Sequence, residues 1–133
     1  MRRVLVDTGA LVALVRERDA YHARALSFFD EFRSGELLTT AAVLTETLHL
    51  LPTHLGASVL ALVRPPRWLV LDLALGLPRI AELLSKYADR PMDFADASLV
   101  WAAEHSGARE VLTTDQDFAI YRTRNLQGFV LVL

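Results

Sequence analysis

Short apolar runs that alternate with longer segments of helical periodicity constrain this 133-residue chain most strongly. The runs are Val4–Val6, Leu37–Leu38, Trp68–Leu71, Val111–Leu112 and Phe129–Leu133, and each reads as a strand. Between them lie six predicted helices. The first follows a Thr8 cap through Ala10, Leu11, Leu14 and Val15. The second runs from Tyr21 to Arg33 with Leu26, Phe29 and Phe32 at helical spacing, and Gly35 is its natural stop. The third, capped by Thr39 or Thr40, carries Val43, Leu44, Leu48 and Leu51 and ends at Pro52. The fourth spans Ser58–Val63 and stops at Pro65-Pro66. The fifth starts at Pro78, and the sixth starts at an Asp93 cap and closes at Gly107. Strand alternating with helix predicts an α/β sandwich around a central parallel sheet. Short connections and the lack of a linker predict one domain over residues 1–133.

Bulk properties narrow the chemistry. A hydrophobic fraction of 53% predicts a packed core rather than disorder. With no cysteine, disulfides, thiolate metal sites and thiol nucleophiles are excluded, and the chain suits a reducing cytoplasm. Apolar stretches are interrupted by Glu46, Asp72 or Asp96 well short of the ~18 residues of a membrane span. The segment Met1–Asp7 reads as a first strand rather than a secretion signal, because Asp7 breaks the apolar run. Net charge is −2, so no general basic field is available for nucleic acid. Arg16, Arg18, Arg24, Arg64 and Arg67 read either as a local phosphate-binding patch or as solvated faces, and the scatter along the chain favours the latter.

Against that background the acidic residues are conspicuous. Asp7 ends the first strand in Val6-Asp7-Thr8-Gly9, and Glu46 sits in the third helix in Thr45-Glu46-Thr47. Asp93 and Asp96 open the sixth helix in Met92-Asp93-Phe94-Ala95-Asp96-Ala97. Asp115 and Asp117 follow a strand in Leu112-Thr113-Thr114-Asp115-Gln116-Asp117-Phe118. Carboxylates beside apolar segments are costly unless a positive charge compensates them. In a parallel sheet, sites form beyond the carboxyl ends of the strands. If the first strand neighbours the Val111–Leu112 strand, Asp7 and Asp115 share one edge. Hard oxygen ligands of this kind select Mg²⁺ or Mn²⁺. The chemistry that follows is phosphodiester hydrolysis by a metal-activated water. Asp93 is equally explained as a helix cap, and Asp117 as a cap of the Phe118 segment. His22, His49, His54 and His105 have no metal-binding spacing and read as structural or surface residues.

The four motifs, in this order and over nearly the whole chain, resemble the PIN-domain nucleases, and most closely the VapC-type toxins of toxin–antitoxin pairs. The resemblance implies a PIN-like three-layer sandwich with a central parallel sheet of four to five short strands flanked by helices. It assigns Asp7, Glu46, Asp96 and Asp115 to the catalytic, metal-binding quartet. Asp93 and Asp117 become accessory acids, and Thr8 and Thr113 orienting hydroxyls. It further implies a Mg²⁺- or Mn²⁺-dependent endoribonuclease acting on RNA in the cytoplasm, a homodimer, and a small VapB-like antitoxin that blocks the site. Two alternatives stand beside this. A Mg²⁺-dependent phosphatase of the haloacid-dehalogenase type needs an acid two residues after its nucleophilic aspartate, where Gly9 stands here. A non-catalytic PIN-like RNA- or protein-binding module would not need the full acidic set.

Overall fold

A computed structural model describes the chain from Met1 to Leu133. The strands are β1 (Arg3–Val6), β2 (Glu36–Thr40), β3 (Trp68–Leu71), β4 (Glu110–Leu112) and β5 (Val130–Val132). The helices are α1 (Thr8–Val15), α2 (His22–Glu31), α3 (Ala41–Leu50), α4 (Thr53–Leu62), α5 (Leu77–Lys86) and α6 (Phe94–Ser106), with 3₁₀ turns at Ala74–Gly76 and Gln116–Ala119. All five strands are parallel, in the order β3-β2-β1-β4-β5. The chain therefore winds outward from β1 to β3, then crosses back to β4 on the other side of β1. Such a reversal opens a crevice beyond the carboxyl ends of the two central strands, β1 and β4.

Right-handed crossovers put α1 to α4 on one face of the sheet and α5 and α6 on the other. Helix α1 packs on α2, α3 and α4, while α6 packs on α5, β1 and β2 and also meets α3. The core is one cluster of 29 buried residues centred on Val4, Leu5 and Val6 of β1, Leu37 and Leu38 of β2, and Val111 and Leu112 of β4. Each such side chain contributes roughly 1.5–3 kcal/mol of burial. Helix α6 is buried along most of its length, and its alanines (Ala95, Ala97, Ala102, Ala103) let it lie close to the sheet. Its buried Ser98 hydroxyl is fully used, donating to the Ala95 carbonyl at 2.7 Å and meeting Thr40 Oγ1 at 2.7 Å. Where α5 enters, Gly76 is required by packing, since a Cβ there would lie 2.6 Å from the Trp101 ring.

Several boundaries differ from the sequence expectation. Helix α2 ends at Glu31, and Gly35 (φ +113°) serves the turn into β2 instead of the helix stop. Helix α4 begins at Thr53, five residues early, because Pro52 at φ −57° and ψ 150° already directs the chain into a first turn. Thr40 caps α3 by accepting from Val43 N at 3.2 Å, while Thr39 donates to the Val6 carbonyl at 3.1 Å. Gly107, at φ 84°, closes α6 as anticipated.

Candidate metal centre

The site grows out of the central strand pair. The register pairs Val6 of β1 with Leu112 of β4, and Asp7 N continues the ladder by donating to the Leu112 carbonyl at 3.0 Å. Asp7 therefore emerges at the carboxyl edge beside β4. It, and not Thr8, is the cap of α1: Oδ1 accepts from Thr8 N at 2.8 Å. Its second oxygen accepts from Thr113 Oγ1 at 2.7 Å. The same Thr113 hydroxyl accepts from Asp115 N at 2.9 Å, so one buried hydroxyl fixes both acids across the strand pair. Asp115 in turn caps the following 3₁₀ turn, accepting from Asp117 N at 2.9 Å. The cap expected of Asp117 is thus supplied by Asp115. Gly9 lets the first turn of α1 approach this loop, because a Cβ would stand 2.4 Å from Thr114 Oγ1.

Helix α6 delivers the third acid from the opposite wall. Asp93 caps it, Oδ1 accepting from Asp96 N at 2.8 Å, and Asp96 Oδ2 accepts back from Asp93 N at 3.1 Å. This reciprocal box locks the Asp96 carboxylate at the helix mouth. Oxygens of Asp7, Asp96 and Asp115 then lie within 4.8 Å of one another. Asp7 is 5% exposed and Asp96 7% exposed. No arginine or lysine pairs with any of the three; the ion pairs Arg2–Glu110, Arg3–Glu36, Arg79–Glu104 and Arg124–Glu82 all lie elsewhere.

Three like charges at this spacing repel by about 3–4 kcal/mol per pair at an effective dielectric near 20. The pKa of each acid is raised accordingly. Burial raises the Asp7 pKa to about 6, against the pull of the Thr113 and Thr8 hydrogen bonds and with the help of the Asp115 charge. Burial, joined by the Asp93, Asp7 and Asp115 charges, raises Asp96 to about 8 despite its backbone hydrogen bond. Asp115 is also raised, again first by burial. The helix N-termini behind Asp7 and Asp96 favour negative charge, but desolvation and mutual repulsion win. Three hard oxygen donors this close, without a counter-charge, form a group that could hold a metal ion.

Glu46 does not join the close trio. It stands half-buried on α3 beside Asp93, with a pKa raised to about 7 by desolvation first and by the Asp93 and Asp7 charges next. The Thr8 hydroxyl near it pulls the other way, yet remains buried without a formed hydrogen bond. Glu46 therefore rims the pocket. Asp93 is exposed and Asp117 half-buried; the one caps α6 and the other adds its charge to the field on Asp115. Thr113 orients two acids, whereas the expected orienting bond from the Thr8 hydroxyl is not formed. No histidine belongs to the cluster; His22, for one, is engaged by the Ala13 carbonyl at 2.6 Å.

Sequence reasoning missed Tyr121. Its ring is wholly buried between Tyr87 and Phe118, its hydroxyl has no hydrogen-bond partner, and Asp96, Asp117, Asp115 and Asp93 all act on it. Burial, then these charges, pushes its pKa well above the ordinary tyrosine value. Its only signal was a tyrosine six residues after Asp115.

The PIN domain family model matches residues 4–123, which include every acid of the site. The chain is a member of the PIN-domain family. Among solved structures the PIN fold seen here is similar to the crystal structure of Mycobacterium tuberculosis VapC20, a sarcin–ricin loop cleaving toxin. The two share 21% sequence identity with a TM-score of 0.78, over 88% of this chain and 93% of that one. No curated protein sequence matches the chain. The five-stranded parallel sheet and flanking helices agree with the α/β architecture expected from the sequence.

Proposed function

We propose that the protein is a metal-dependent endoribonuclease of the VapC toxin type, hydrolysing RNA phosphodiester bonds. The observation that carries this reading is the convergence of Asp7, Asp96 and Asp115 within 4.8 Å, the first two buried and the third half-buried, without a cationic partner. PIN-domain membership and the likeness to an RNA-cleaving toxin support it. Asp7, Asp96 and Asp115 are the residues that hold Mg²⁺ or Mn²⁺, with Glu46 at the rim and Asp93 and Asp117 as accessory acids. A divalent ion bound there supplies an activated water and neutralises charge on the phosphoryl oxygens.

The protein's own groups do the rest. Thr113 holds Asp7 and Asp115 in fixed orientation, and the α6 capping box holds Asp96, so the donor oxygens need no rearrangement. Glu46, whose pKa lies near neutrality, is placed to take up or give a proton at the rim.

A toxin of this type acts in the cytoplasm, pairs with itself and is silenced by a small VapB-like antitoxin. Exposed Leu60 and Leu62 on α4 and Leu69 and Val70 on edge strand β3 provide apolar surface for such protein partners. No helix is long and apolar enough to cross a membrane. The test is cleavage of RNA in Mg²⁺ or Mn²⁺ by the parent and by Asp96→Asn. The reading requires a metal-dependent cut that the variant loses while its circular dichroism spectrum is unaltered; equal cutting by the two proteins rules the site out.

A further inference from the structure

A cleft of about 410 Å³ opens beside the acidic pocket. One wall is a single face of α3, where Thr45, Glu46 and His49 point into it; the other is the first turn of α6, with Asp93 and Phe94. Ala42 and Ala95, both buried, form its floor. The volume lies in the range of small-ligand pockets, about 300–1,000 Å³. Two of its walls are also walls of the metal centre. Glu46 feels the Asp7 charge, and Asp93 is hydrogen-bonded to Asp96 through the capping box. Anything seated in the cleft is therefore continuous with whatever occupies the acidic pocket.

Phe94 is the aromatic member of the lining. It is the first residue of α6 and the one phenyl ring on the cleft. Here it is 45% exposed and lines the cleft, although Ala95 and Ala97 beside it are buried. The polar groups around the ring, Thr45, His49 and Glu46, offer both donors and acceptors. Thr45 Oγ1 already donates to the Ala41 carbonyl at 2.8 Å, which leaves it free only to accept. A flat heterocycle with one apolar face and a polar edge fits this combination.

We infer that the α3–α6 cleft is a nucleobase subsite in which Phe94 stacks on an unpaired RNA base next to the scissile phosphate, while Thr45 and His49 read its edge. The inference rests on the ribonuclease reading and deepens it. Base–aromatic stacking tolerates any base, whereas the polar edge confers preference. Phe94 thus governs how tightly RNA is held, and Thr45 with His49 govern which base flanks the cut.

The test uses the full chain in Mn²⁺ on a randomised RNA pool, with cut ends mapped by sequencing. One cut RNA is then resynthesised with a single abasic nucleotide at each position flanking the cut. Phe94→Ala is expected to raise KM about tenfold, within the range for loss of one stacked base, with kcat little altered; Phe94→Trp restores KM. One flanking abasic substitution weakens the parent by a similar factor and leaves Phe94→Ala unaffected, because the partner is already gone. Phe94→Leu, which keeps the apolar contact without the ring, behaves like the alanine variant if stacking is the cause. Parental KM in Phe94→Ala and Phe94→Leu, or equal abasic penalties in parent and variant, overturns the subsite while the metal-dependent cut stands. Loss of association with a protein partner without change in cleavage assigns the cleft to a protein side chain and also overturns it. If the parent makes no metal-dependent cut, the ribonuclease reading falls and the subsite with it.

Discussion

Replacing Asp96 by asparagine should stabilise the metal-free protein, although the same change removes a metal ligand. The pKa of Asp96 stands at about 8 in the fold against an ordinary 3.8. Between those values the native state holds a proton that the unfolded chain releases, so stability falls as pH rises. The limiting slope is about 1.4 kcal/mol per pH unit. Carried over the whole window from about pH 4 to pH 8 it amounts to ~6 kcal/mol. Solvent screening and the sharing of repulsion among coupled acids reduce this to about 2–3 kcal/mol. An asparagine avoids the penalty. Its carbonyl accepts the Asp93 N–H that Asp96 now accepts at 3.1 Å, and its amide presents donors to the remaining carboxylates. Urea unfolding in EDTA from pH 5 to pH 8.5 measures the effect. The parent should lose stability steadily over this range, and Asp96→Asn should be flatter and about 2–3 kcal/mol more stable at pH 8. Adding Mn²⁺ at pH 8 should reverse the order, because only the parent regains stability through binding. A variant no more stable than the parent at pH 8 in EDTA would refute the reasoning that these carboxylates are crowded, desolvated and uncompensated.

Other expectations follow from single contacts. Thr113→Val removes the hydroxyl that serves both Asp7 and Asp115; it should cost about 1–3 kcal/mol, raise the Asp7 pKa above about 6 in an NMR titration, and weaken Mn²⁺ binding. Arg79→Ala breaks a paired, partly buried contact with Glu104 (2.8 Å) and should cost about 2 kcal/mol in urea unfolding, with little effect on RNA cleavage. Gly76→Ala drives a methyl group against Trp101 and should cost about 1–3 kcal/mol, read as a lowered Tm and a perturbed tryptophan emission. Tyr121→Phe removes a buried hydroxyl that has no partner; in metal-free protein it should be neutral or stabilising by about 1 kcal/mol in urea.

The fold was legible because its signals are local. The apolar runs at Val4–Val6 and Val111–Leu112 are too short for anything but strands, and Gly107 and Asp93 punctuate α6 in the usual way. The convergence of Asp7 and Asp115 was legible as a conditional: it needed β1 beside β4, which the sheet order supplies. Less legible was what depends on side-chain direction. Whether Asp7 or Thr8 caps α1 turns on a β-region backbone at Asp7 (φ −91°, ψ 167°) that both residues could have adopted. Glu46 shares the helical face of Thr45 and His49, and only the α3–α6 contact decides that it rims the pocket rather than entering the trio. Tyr121 and Phe94 escaped because aromatic residues near apolar segments ordinarily pack in the core. Their relation to the acids is set by the tertiary arrangement of α6 and the turn after β4.

The central claim is that Asp7, Asp96 and Asp115 form one receptor for a divalent cation. Crystals of the protein grown with Mn²⁺, and measured at a wavelength where manganese scatters anomalously, test it most directly. The account predicts a strong anomalous peak bonded to oxygens of all three carboxylates at roughly 2.0–2.3 Å, the range for small hard cations. A peak on other residues, or none between these three at saturating Mn²⁺, would contradict it.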